Sequence, residues 1–238
     1  MSRPYKRSIE HDAPSHWVGW EHIMRLHQKA VNLDLMTDKR EHSLCFTVLF
    51  ELGCRRIEAL TLRPWMFDWD DEMIRIENVP VLKRRRRYTR NVIIKRDDRN
   101  PLANVLISHV ENAREHDWTY LIPGYGYKFG RELNSSKHMS PVLLYKRIRA
   151  IDDDIWPHWL RDQRSWHLSA PIEDGGRAFD SYLLKAWFEW ATMEMPAHYA
   201  GRRQESDIAA AMGLTRTIPN AEERTQEADI DNPDRRIF

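Results

Sequence analysis

A chain of 238 residues can build one sizeable domain around a hydrophobic core and is short for two. With no run of eighteen apolar residues and no recognisable secretory leader, we expect neither a membrane span nor a secreted precursor but a soluble cytoplasmic protein. Cys45 and Cys54 lie in apolar contexts, as reduced core thiols do, and not in a disulfide framework.

A formal net charge of +1 speaks against a polyanionic partner only if charge is evenly spread, and it is not. Residues 204–238 hold four Lys/Arg against eight Asp/Glu, a net of −4, which leaves the first 203 residues at +5. Within that part Lys83, Arg84, Arg85, Arg86 and Arg87, followed by Arg90, Lys95 and Arg96, make a dense basic stretch. Phosphates respond to such a local patch, not to the total.

In chain order, Trp17, Trp20, Ile23, Met24, Ala30 and Val31 recur at helical spacing and predict a first helix over 16–33. Thr37 offers an N-cap for a second, whose Leu44, Cys45, Val48, Leu49 and Leu52 keep a 3.6-residue period until Gly53 ends it. A short third helix starts at Ile57, with Pro64 near its end. From Met73 the pattern becomes extended, and β-branched residues resume over 88–94, so a hairpin with Lys83 near its tip is expected. A helix follows Pro101, with Leu102, Val105, Leu106, Val110 and Ala113 on one face. Residues 120–136, with three glycines, read as loop, and Ser140 before Pro141 reads as a helix start. Further helices are expected over 158–168 and 181–190, with Tyr199 on a turn or short helix after Pro196. The segment 169–180, containing Gly175 and Gly176, reads as a flexible insert, and 218–238 as a frayed acidic tail.

Five short motifs stand in one order along this scaffold. Arg55 lies in a G-x-R-x-x-E-x-L context formed by Gly53, Arg55, Glu58 and Leu60; Lys83 follows on the hairpin; His158 and Arg161 form H-x-x-R; Trp190 precedes Tyr199 by nine positions. Each is weak alone, but together they are similar to the catalytic domain of tyrosine recombinases, the phage-integrase family. The resemblance covers residues 15–203 and implies that family's fold, mainly α with a small antiparallel β-sheet. It leaves residues 1–14 as an N-terminal arm, where the family usually has a DNA-clamping domain, and 204–238 as a C-terminal helix and acidic tail.

The activity implied is breakage and rejoining of double-stranded DNA through a 3′-phosphotyrosine, with no metal and no cofactor. Tyr199 would be the nucleophile. Arg55 and Arg161 would hold the phosphate oxygens with guanidinium forks that stay charged. Lys83 would protonate the leaving 5′-oxygen, helped by its cationic neighbours. His158 would take the tyrosine proton or bind the phosphate, and the Trp190 indole, a donor only, would hold an oxygen. Glu58 would brace the site, while Arg84, Arg85, Arg86, Arg87 and Arg90 would grip DNA backbone. The residues alone leave rivals open: Arg56 for Arg55, Arg84 or Lys95 for Lys83, a first-turn helix acid for Glu58, and plain packing for Trp190 and Tyr199. Asp162, where the family often has His after the motif, is a departure.

The resemblance further implies a tetramer on DNA, built by exchanging a C-terminal helix near 207–214; the same segment folding back on its own domain is the alternative. An accessory clamp or DNA-bending protein, and a viral or mobile-element integrase acting in a host cell, complete the expectation. A catalytically idle DNA-binding regulator and a type IB topoisomerase-like relaxing enzyme are the competing functions.

Overall fold

The computed structural model describes residues 17–37, 41–83, 86–98, 100–125 and 133–200, and for 82, 83, 86–88 and 200 the backbone only. The arm over 1–14, Arg84, Arg85, and the proposed C-terminal helix and tail therefore lie outside the described residues. Helices α1 (Trp20–Thr37), α2 (Glu41–Leu52) and α3 (Arg56–Leu60) lead through a 3₁₀ turn (Pro64–Met66) into strands β1 (Phe67–Trp69), β2 (Met73–Lys83) and β3 (Arg86–Lys95). Helix α4 (Leu102–Glu115), strands β4 (Pro123–Tyr125) and β5 (Leu133–His138), then helices α5 (Pro141–Ile151), α6 (Pro157–Ser169), α7 (Ser181–Phe188) and α8 (Glu194–Ala200) complete it. The fold is thus mainly α with a small antiparallel sheet in the order β1-β2-β3.

Helix α2 is the axis of the molecule. All twelve of its residues are buried, the polar Glu41, His42, Ser43, Thr47 and Glu51 among them, and α1, α4, α5 and α6 pack around it. Phe46, Phe50, Leu49 and Leu52 are fully enclosed, and burying each such side chain stabilises the fold by roughly 1.5–3 kcal/mol. Cys45 and Cys54 are buried and unpaired with each other, and burial pushes the Cys54 thiol up to about 12. No described helix is long and apolar enough to cross a membrane.

The sheet shows how one irregularity sets what faces inward. Ile74 and Ile76 of β2 are buried, but so are Val79 and Val81, two positions of the opposite parity. A register shift between Ile76 and Val79, with Asn78 at φ 57°, inserts the extra residue that keeps the apolar face on the core. On β3, Arg90, Val92 and Ile94 share that buried face.

Several expectations change. Residues 120–136 are not all loop, because β4 and the start of β5 pair there as an antiparallel ribbon. Thr37 ends α1 and donates its hydroxyl back to Leu33 O at 2.9 Å, so it is not the cap of α2. That role falls to Asp34, which accepts from the backbone N–H groups of His42 at 2.8 Å and Ser43 at 2.9 Å and from both of their side chains. The segment 170–180 is tied down: Ala178 N donates to Ala170 O, Phe179 N to Leu168 O, and Arg177 grips Asp97 through two 2.7 Å bonds. Ser140 does cap α5, accepting from Leu143 N at 3.1 Å.

Burial pushes the Asp34 carboxyl pKa up, but the four bonds from His42 and Ser43 outweigh it and hold the value below the usual range. A carboxylate with a depressed folded-state pKa stabilises the protein above its unfolded value and loses that contribution as pH falls through the folded one. Asp34→Ala should therefore cost about 1–2 kcal/mol near neutral pH, as loss of a good cap does. Thermal midpoints of wild type and variant, measured down a pH series, should converge in acid.

Candidate active site

The last turn of α2 gathers three arginines. A helix end leaves carbonyls without intrahelical partners and carries the negative end of the helix dipole, so it attracts cations. Arg90 of β3 donates to Leu52 O at 2.8 Å and also to Trp187 O. Arg161 of α6 donates to Gly53 O, and Arg164, one turn along α6, pairs with Glu51 at 3.2 Å in full burial. Gly53 at φ +52° ends the helix and leaves no room for a side chain, since a Cβ would stand 2.6 Å from the Phe188 ring.

Glu58 organises the polar face above that turn. As the third residue of α3 it accepts from the Arg55 backbone N–H at 2.8 Å and from Arg55 Nη1 at 2.9 Å, so backbone and guanidinium are held by one carboxylate. The same carboxylate lies 4.0 Å from Arg161 Nη1. The Arg55 side chain stays 40% exposed, whereas Arg161 is buried under the rings of Phe188 at 4.7 Å and Trp190 at 5.9 Å. Burial, then the neighbouring Arg90 charge, lower the Arg161 pKa to about 10, which still leaves it cationic near neutrality. Its Nη2 has no hydrogen-bond partner among the described residues.

Tyr199 reaches this cluster from α8. Its ring stacks on Trp190 (5.6 Å between centroids, 6° between planes) and meets Trp166 edge-on at 4.8 Å. The hydroxyl donates to Asp162 Oδ1 at 2.8 Å, and His158 Nε2 lies 3.8 Å from the same oxygen. Burial, followed by the charge and hydrogen bond of Asp162, raises the Tyr199 pKa well above that of a free phenol. His158 is mostly exposed and lines, with Arg55, Glu58, Tyr145 and Trp156, an open cleft of about 510 Å³.

Against known proteins, no family model and no curated sequence matches this chain. Solved structures do. The fold is similar to the XerH site-specific recombinase bound to difH substrate in a pre-cleavage complex, with a TM-score of 0.55 and 17% identity over 82% of this chain and 53% of that one. It is similar to XerH bound to palindromic difH in a post-cleavage complex (TM-score 0.54, 16% identity, 82% and 53% covered). XerA recombinase matches at a TM-score of 0.51 and 13% identity, covering 91% of this chain and 66% of that one. The chain thus spans about half the length of the XerH chains, and what it shares with all three is the recombinase catalytic-domain fold.

Of the residues singled out from sequence, Arg55, Glu58, Arg161, Trp190, Tyr199 and His158 fall into one connected set, with Asp162 as the link between the last two. Lys83 ends β2 opposite Arg86 at the hairpin tip, and the side chains of Lys83, Arg86 and Arg87 lie outside the described residues. Arg90 needs correction: it is 5% exposed and its guanidinium is committed to two carbonyls, so it does not belong to a surface that grips DNA. Alternation along β3 turns it inward. Trp190 packs by its ring face as part of a small cluster with Leu168, Leu184 and Phe188, so the packing role is present whatever else its indole does. Asp162 departs from the family motif, yet its place four residues after His158 puts both on one helix face.

Asp162→Asn keeps an acceptor beside the phenol but removes the negative charge, so Tyr199 should ionise at lower pH than in wild type. Phenolate absorbance titrated against a Tyr199→Phe reference isolates that single tyrosine and gives the sign directly.

Proposed function

We propose that this protein cuts and rejoins duplex DNA by transesterification, with Tyr199 as the nucleophile. The observation that carries the proposal is the joining of Tyr199, Trp190 and the buried Arg161, whose Nη2 lacks a partner among the described residues, in one aromatic and ionic cluster. A phosphate oxygen would satisfy that donor, and a preorganised guanidinium stabilises the charge that builds on a pentavalent phosphorus at little reorganisation cost. Arg55, braced by Glu58 and half open to solvent, would approach the second non-bridging oxygen from the cleft side. His158, exposed at the rim, would contact the phosphate as well. Attack by Tyr199 forms a 3′-phosphotyrosine and releases a 5′-hydroxyl, and the reverse attack by a 5′-hydroxyl reseals the strand.

Lys83, at the tip of a hairpin next to a run of arginines, would deliver the proton to the leaving 5′-oxygen. The basic run would hold the backbone of double-stranded DNA. Site-specific recombination by a DNA-bound tetramer is the activity we favour, since the fold is shared with XerH, a site-specific recombinase bound to difH substrate. An integrase carried by a virus or mobile element is the setting we favour.

Tyr199→Phe should abolish covalent capture of a nicked duplex taken from the DNA that flanks the gene, while binding in a gel-shift assay stays within a few-fold. An adduct formed by the Phe variant would assign the nucleophile elsewhere, and none from wild type would leave the idle-regulator reading in its place.

Lys83→Ala should slow cleavage of an ordinary phosphodiester by about 10²-fold or more, the usual worth of a general acid. A substrate with a 5′-bridging sulfur, whose thiolate leaves without a proton, should be cut at nearly the wild-type rate. Equal slowing on both would reduce Lys83 to a DNA grip.

A further inference from the structure

We propose that Asp162 is the general base that takes the phenolic proton of Tyr199 as the nucleophile attacks; the assignment rests on Tyr199 being that nucleophile. The sequence resemblance points to His158 for this task, but the geometry does not favour it. The Tyr199 hydroxyl donates to Asp162 Oδ1 at 2.8 Å, within the range of a charge-assisted bond, whereas His158 Nε2 stands 3.8 Å from that same oxygen with its ring mostly in solvent.

Tyr199 is only 7% exposed, packed between Trp190 and Trp166, so bulk water has little access to its proton. The groups acting on it from α6 are Asp162, Arg161 and the Ser165 hydroxyl, and His198 of its own helix packs edge-on at 5.2 Å. Arg161 and Ser165 favour the phenolate, Asp162 opposes it, and burial opposes it most. Such a phenol is a poor nucleophile unless its proton leaves during attack. The carboxylate that holds it neutral at rest is also the group positioned to accept that proton, because the oxygen turns acidic as its bond to phosphorus forms.

The step balances. The Tyr199 O–H bond breaks with the proton passing to Asp162 Oδ1, a new O–P bond forms, and the P–O5′ bond breaks with its electron pair going to the 5′-oxygen, which is protonated by the general acid. In religation the neutral Asp162 returns its proton to the departing phenolate. His158, one turn away and exposed, is placed to exchange the Asp162 proton with solvent between the two half-reactions.

The test compares covalent capture of the same nicked duplex by the full chain, by Asp162→Asn, and by both with difluorotyrosine at position 199, whose phenol loses its proton more readily. Asp162→Asn should be slowed by about 10²-fold, with its thermal midpoint close to wild type, and difluorotyrosine should recover much of that loss while changing the wild-type rate little. A variant as fast as wild type, or faster, would overturn the proposal and make the Asp162 contact a restraint on the nucleophile. Loss of rate that difluorotyrosine does not recover would make Asp162 structural only. Should Asp162→Asn not fold, a series of fluorinated tyrosines in the otherwise wild-type chain decides: weak dependence on phenol acidity is expected, and dependence as steep as full prior ionisation requires would overturn it. Wild type forming no adduct overturns both this assignment and the proposed function; an adduct with an unaffected Asp162→Asn overturns this one alone.

Discussion

The structure depends on how the C-terminal end of α2 is closed. That helix is buried along its whole length, so its last carbonyls have no water to turn to and must find donors inside the protein. Arg90 supplies one from the sheet and Arg161 another from α6, while Arg164 ties the Glu51 side chain of the final turn. These bonds join the sheet, the central helix and α6 at one point. They also bring positive charge close together, which is tolerable because the helix dipole, Glu51 and Glu58 lie on the other side of the balance. A hydrophobic core alone would not place a cation there.

From that point the site's chemistry follows with few further elements. Glu58 can serve Arg55 and Arg161 together because α3 starts at Arg56, only three residues after the glycine that ends α2, so the first turn of the new helix faces the guanidinium that caps the old one. Phe188 and Trp190 cover Arg161, contributing cation–π contact and excluding water. Trp190 then continues the stack to Tyr199. A charge under aromatic cover is stronger toward a phosphate than the same charge in solvent, and a phenol under the same cover is slower to ionise. The arrangement therefore strengthens the field of Arg161 and disfavours ionisation of the Tyr199 phenol, and the carboxylate of Asp162 stands where those two effects meet.

Much of this was legible in the chain. Periodicity located the cores of α1, α2 and α4, the change to β-branched residues located the β2–β3 hairpin, and Gly53 and Ser140 marked helix ends for reasons of backbone conformation and capping. The intervals among Arg55, His158, Arg161, Trp190 and Tyr199 selected residues that the fold does bring together. Other features were not legible. A threonine at the right place looks like a cap until its hydroxyl is seen to turn back onto α1, leaving the work to Asp34 from eight residues before His42. Strands of three and six residues, β4 and β5, carry too few apolar positions to announce themselves. Arg90 looked like one more member of a basic surface run, although strand alternation sends it inward.

By itself the sequence determined what local rules control: which segments are helical, where they stop, which residues are apolar enough to form the core, and the order in which candidate site residues occur. Those properties depend on neighbours within a turn or two, so a single chain displays them. The tertiary structure alone decided which of several arginines are buried, that Glu58 is shared, and that Asp162 rather than His158 meets the Tyr199 hydroxyl. These outcomes hinge on side chains from α2, β3, α6 and α8, up to more than a hundred positions apart, competing for the same few unsatisfied carbonyls and carboxylate oxygens. No local pattern records which donor wins such a competition.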